Sequence, residues 1–96
     1  MPKVLLYITA KITWIFLFFG TDANENRAHV HVGKKTTEEY CKIWLEPEVV
    51  IAKNGTLTTT ELNKALKITQ EYQLQLIKQW KKFKEGTAIK MITIKK

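Results

Sequence analysis

Only one cysteine, Cys41, occurs among the 96 residues, so an internal disulfide and a paired-cysteine zinc finger are both excluded. A chain without disulfides suits a reducing compartment, and the cytoplasm is the expected location. No glycine-rich phosphate loop is present, which argues against the familiar nucleotide-dependent enzymes, and no cofactor is expected. Long hydrophobic runs are lacking too. Val4 to Phe19 is strongly apolar, but Lys11 interrupts it between Thr9 and Thr13, and no small-residue cleavage site follows Phe19. A bilayer span needs about 20 consecutive apolar residues, so this stretch reads as buried strands and no membrane association is expected. Without a repeat, a low-complexity tract or a composition break, residues 1–96 are expected to form a single domain. Acidic residues are outnumbered, 9 against 16 Lys and Arg, giving a formal charge of +7. Such a balance fits an acidic partner, nucleic acid or protein, or simply a well-solvated surface.

Histidine is scarce as well, and its placement is informative. Both copies lie in Arg27-Ala28-His29-Val30-His31-Val32. The valines favour a strand, and alternation then puts His29 and His31 on one face and the valines on the other. Imidazoles two strand residues apart stand about 7 Å from each other. They can bind an anion, ligate a metal or exchange protons near neutrality.

The pattern predicts strands over 4–8, 12–19, 28–33, 40–45 and 49–52. Residues 12–19 are apolar on both faces by their end, as in a strand that is central or covered on both sides. Thr9-Ala10-Lys11 reads as a turn without the usual Gly or Asn, and residues 20–26 as a polar loop. Thr58 and Glu61 form a capping-box signature. One long helix is expected over 59–85, stopped by Gly86. Its apolar stripe includes Leu62, Ala65, Leu76, Trp80 and Phe83, with Lys64, Lys67, Lys78 and Lys82 on the opposite side. A further strand over 88–94 would pair with a free sheet edge or another chain, which leaves room for a homo-oligomer. The fold class is α+β, a small antiparallel sheet packed against one long C-terminal helix.

Several ordered motifs carry a family resemblance. They are Met1-Pro2-Lys3-Val4, Phe18-Phe19, the histidine strand, Lys42-Ile43-Trp44-Leu45-Glu46-Pro47, Asn54-Gly55, Thr60-Glu61-Leu62, and the helix bearing Ile77, Trp80 and Phe83. Together they resemble the bacterial family called domain of unknown function 4160, over roughly residues 1 to 85. The resemblance implies a small cytoplasmic protein encoded beside a partner of another uncharacterised family, domain 2442. That arrangement is similar to a toxin–antitoxin operon. It also implies a site at His29, His31, Trp44 and Glu46. Two departures stand out: Ala28 occupies a position where many members carry proline, and Thr87–Lys96 runs past the usual helix end.

Three chemistries fit these residues. A metal-independent ribonuclease would use His29 and His31 as base and acid, with Arg27, Lys34 and Lys35 holding phosphate. A binding module would engage the partner protein, and RNA or DNA, through the same basic strand site; a single long helix offers no helix-turn-helix. Tyr40 and Trp44 would share a strand face and could stack a base. A transition-metal site on His29 and His31 would need a third ligand from Asp22, Glu25, Glu46, Glu48 or Cys41, and no spacing selects among them.

Overall fold

The fold follows from strands whose two faces differ in polarity. In a computed structural model describing residues 2–96, the chain forms β1 (Lys3–Ile8), β2 (Thr13–Leu17), a 3-10 turn (Gly20–Asn24), β3 (His29–Lys34), β4 (Cys41–Trp44) and β5 (Val50–Lys53). Helices α1 (Thr59–Glu71) and α2 (Gln73–Glu85) follow, then β6 (Ile92–Lys95). Met1, with which the family resemblance begins, lies outside the described residues. One sheet runs β5-β4-β3-β2-β1-β6. Every pair is antiparallel except β6, which lies parallel to β1. The α+β class is as expected. Among the described residues, no helix is long and apolar enough to cross a membrane.

One sheet face packs on the helices. Val4, Tyr7, Trp14, Phe16, Val30 and Ile43 join Leu62, Ala65, Ile68, Leu76 and Trp80 in one apolar core. β2 is central, and on its other face, which no helix covers, Ile15 and Leu17 are also largely buried. Thr9 replaces the missing Gly or Asn of the β1–β2 turn. Its hydroxyl donates to the Ile12 carbonyl (2.9 Å) and accepts from the Ile12 amide (3.0 Å).

The expected long helix is two helices, because Tyr72 (φ −109°, ψ 22°) leaves helical geometry. A straight helix of that length would extend about 40 Å, more than the longest dimension of the molecule, 34 Å. The break lets α1 pack on β4 and α2 on β1. Tyr72 meets Tyr7 edge-on at 6.1 Å, and Gln73 Nε2 donates to the Leu45 carbonyl (2.7 Å). The change of phase also buries Ile68 and Gln79, which lie outside the sequence stripe. Gln79 Nε2 donates to the Val4 carbonyl (3.0 Å) and the Lys90 carbonyl (2.8 Å), holding the tail beside β1. The tail strand is shorter than 88–94 and pairs within the chain.

The capping box forms. The Glu61 amide donates to Thr58 Oγ1 (3.2 Å), and the Thr58 amide donates to Glu61 Oε1 (2.9 Å). Lys34 pairs with the same carboxylate. Thr58→Ala should cost about 1 kcal/mol, read from the urea midpoint at pH 7. The hydrogen bond from Lys34, then the Thr58 amide, hold the Glu61 carboxyl below its ordinary value of 4.5. This contribution is therefore complete above pH 4.5 and is lost as pH falls through the lower folded-state value. In Glu61→Gln that part of the acid sensitivity should vanish; an unchanged pH profile would reject it.

Candidate functional site: a carboxylate between two histidines

The polar loop after β2 is not loose. Its 3-10 turn is closed by the Asp22 amide on the Phe19 carbonyl (2.9 Å) and the Glu25 amide on the Asp22 carbonyl (3.0 Å). The Phe19 amide donates to Asp22 Oδ2 (2.8 Å), which folds this carboxylate inward to 5% exposure. From the far end of α2, Lys84 Nζ donates to the Ala23 (2.6 Å) and Glu25 (2.8 Å) carbonyls and pins the loop.

Strand β3 brings both imidazoles to this carboxylate. His29 Nε2 lies 3.1 Å from Asp22 Oδ1, and His31 Nε2 lies 3.1 Å from Oδ2. The rings are 5.3 Å apart, nearly perpendicular. His29 is fully buried, 4.8 Å from the Trp80 ring and 5.6 Å from the Trp44 ring. Its Nδ1 donates to the Arg27 carbonyl (3.0 Å), and Glu25 Oε2 stands 3.3 Å from the same nitrogen. A carbonyl only accepts, so Nδ1 carries a proton, and in the neutral ring Nε2 is a lone pair. That Nε2 has no hydrogen-bond partner of acceptable geometry, despite its distance to Asp22. His31 differs. Its side chain keeps 12% exposure and rests beside the Phe19 ring at 4.3 Å.

Burial pushes the Asp22 carboxyl up. The His29 contact, the Phe19 amide and the charges of both histidines outweigh that push and hold it below the ordinary carboxylate value. For His31 burial is the largest influence and holds the imidazole below its ordinary value, against the pull of Asp22. At neutral pH the site therefore presents a carboxylate and an uncharged His31.

His31 opens onto a cleft of about 770 Å³ on the helix-free sheet face. Ile15, Leu17, Phe19 and Tyr40 supply apolar lining. The Tyr40 ring lies so close on Gly33 that a Cβ there would meet ring carbons at 2.6–2.8 Å. Lys3, Lys35, Lys42 and Lys53 also line it, and so do the carboxylates of Asp22, Glu25, Glu38 and Glu39.

The other expected site residues separate. Lys35 joins His31 at the cleft, whereas Lys34 pairs with Glu61 of α1. Arg27 Nε donates to the Glu46 carbonyl (2.8 Å), and these two line a different cavity with Pro47, Gln73 and Ile77. Trp44 stands opposite His29 in the β3–β4 ladder, but Arg27 and Lys42 lie 4.4 and 4.6 Å from its ring centroid. Two cations thus already occupy this indole. Cys41 is buried among the core residues; burial pushes its thiol up to about 11, so it stays protonated. Of the five acids and thiols weighed as a third ligand, Asp22 is the one gathered with both histidines. Lys42 was not singled out by the sequence. It faces His31 across the ladder and pairs with Glu25 (3.1 Å). Its signal was strand register, which alternation alone does not supply.

Fold and site define an α+β protein with a buried carboxylate–dihistidine cluster at the edge of an open cleft. The chain belongs to the family described as Domain of unknown function (DUF4160), whose model matches residues 13–81. The matched span contains Asp22, His29, His31 and Trp80, while β1 and β6 fall outside it. No curated protein and no solved structure matches the chain.

Proposed function

We propose that this protein is one half of a two-protein, toxin–antitoxin-like module, and that it engages its partner protein through the helix-free face of its sheet. The observation that carries this reading is the cleft at His31, left uncovered by the helices, with an apolar floor and charges of both signs around it. Apolar centres with a polar rim are how proteins meet one another. The partner expected from the family resemblance is a small protein of the domain 2442 type, met in the cytoplasm. A nucleic-acid backbone has less support at this cleft, because four carboxylates stand among its four lysines and offset the positive charge that attracts phosphates. Ribonuclease chemistry asks both imidazoles to reach substrate. His29 is fully buried, so that mechanism also has less support.

Co-expression with the adjacently encoded small protein, followed by affinity capture and calorimetry, tests the reading. A stable complex is expected. Tyr40→Ala and Lys53→Glu in the cleft should each weaken it by at least about tenfold, while Lys78→Glu on α2 should leave it unchanged. A complex indifferent to the cleft variants would move the interface elsewhere. Retention of RNA with no protein complex would replace the partner reading with a nucleic-acid one.

A further inference from the structure

We infer that Asp22, His29 and His31 form a binding site for a divalent first-row transition metal, with one coordination position open to the cleft. The inference stands apart from the partner reading and uses only the geometry of these side chains.

The first observation is convergence. A ligand atom of each residue lies within 4.8 Å of the others, and each Nε2 is 3.1 Å from an Asp22 oxygen. Bonds of about 2.0–2.2 Å from one ion to nitrogen and carboxylate oxygen place neighbouring ligand atoms roughly 3–3.5 Å apart. Small movements of His31, the ligand at the cleft, would therefore complete the set.

The second observation is the unpartnered Nε2 of His29. With Nδ1–H committed to the Arg27 carbonyl, Nε2 is the ring atom turned towards Asp22 Oδ1, in a place closed to water and with no hydrogen-bond partner of acceptable geometry. A cation held between that nitrogen and the carboxylate would give both a partner. The surroundings match how metal-ligating imidazoles are held, with the distal N–H on a backbone carbonyl and a carboxylate close by. Glu25 supplies that carboxylate, itself paired with Lys42. The Phe19 amide fixes Asp22 in the same way.

The donor set selects the class of ion. Two imidazoles and one carboxylate suit Zn²⁺, Co²⁺, Fe²⁺ or Ni²⁺ in preference to Ca²⁺ or Mg²⁺, which favour all-oxygen ligands. Three protein ligands leave a position for water or for a donor group in the cleft, the pattern of reactive rather than structural sites.

The test uses the tag-free full chain, stripped with chelator and titrated with Co²⁺ while the visible absorption is followed. Zn²⁺ competition and calorimetry give the stoichiometry. One equivalent should bind, and Zn²⁺ should displace it. His31→Ala, at the partly exposed ligand, should weaken binding at least 100-fold without unfolding the chain. Glu25→Gln should weaken it about 10- to 100-fold. In long-range nitrogen NMR, His29 Nε2 should shift on metal addition while Nδ1 keeps its proton. No saturable binding at one equivalent would overturn the site. So would binding retained in His31→Ala, or a metal-free His29 protonated on both nitrogens that stays so when metal is added.

Discussion

Truncation of Trp80 to alanine should remove about 3–5 kcal/mol of stability, one of the largest losses available in this chain. The indole is 95% buried by exposure and packs at 5.3 Å edge-on to Phe18, at 5.9 Å to Phe83 and at 4.8 Å to His29. No neighbour can refill that volume without leaving its own rotamer, so most of the cavity persists. In a domain of this size the loss lowers the melting temperature by about 15 °C or more. Thermal and urea unfolding by circular dichroism measure it, with Leu74→Ala, 73% exposed on α2, as the neutral reference. The effect reaches the site. Removing Trp80 opens the wall behind His29, so its ring protons should gain solvent exchange before the fold is lost. A cost below about 1 kcal/mol would mean that Trp80 does not pack on Phe18 and His29 as described.

The second large effect is Gly55→Ala, in the turn between β5 and α1. Gly55 has φ +61°, and a Cβ there would lie 2.4 Å from the Glu39 carbonyl oxygen and 2.8 Å from the Tyr40 carbonyl. The left-handed conformation costs alanine about 1–2 kcal/mol. The clash adds about 1–3 kcal/mol, because main-chain atoms of residues 39–40 cannot swing aside as a side-chain tip would. Gly20→Ala is the control: nothing lies within 4 Å of its Cβ, and its φ is not positive. Denaturant midpoints of the two variants should therefore separate widely. Equal midpoints would reject the close approach of the turn to the segment before β4.

The elements were legible where one residue type decides them. Valines flanking His31, the Thr58–Glu61 box and Gly86 after α2 all act locally, so they read correctly from sequence. Alternation correctly put His29 and His31 together, and their rings meet. Non-local facts were hidden. Nothing in residues 59–85 marks Tyr72 as a break, because the apolar stripe runs through it; the limit comes from the size of the sheet. Lys34 and Lys35 are adjacent, yet Lys34, the last residue of β3, pairs with a helix, while Lys35, in the turn that follows, lines the cleft. The choice of Asp22 over Glu46 or Cys41 depended on the Phe19 amide turning that carboxylate inward, a backbone event with no sequence signature.

The β6–β1 seam joins residues from nearly opposite ends of the chain, with Leu5 beside Ile92. Bringing such distant segments together costs more chain entropy than forming any of the hairpins. Gln79 changes the arithmetic. By holding both the Val4 and the Lys90 carbonyls, it lets a docked α2 present the tail across only 11 residues. That makes the loop roughly eightfold shorter, worth about 2 kcal/mol of closure entropy. The amide of one glutamine thus leaves the tail a local step, the long closure having been made when α2, 75 residues from Val4, docks on β1. It also makes the last strand's arrival depend on the helix rather than on the sheet it completes.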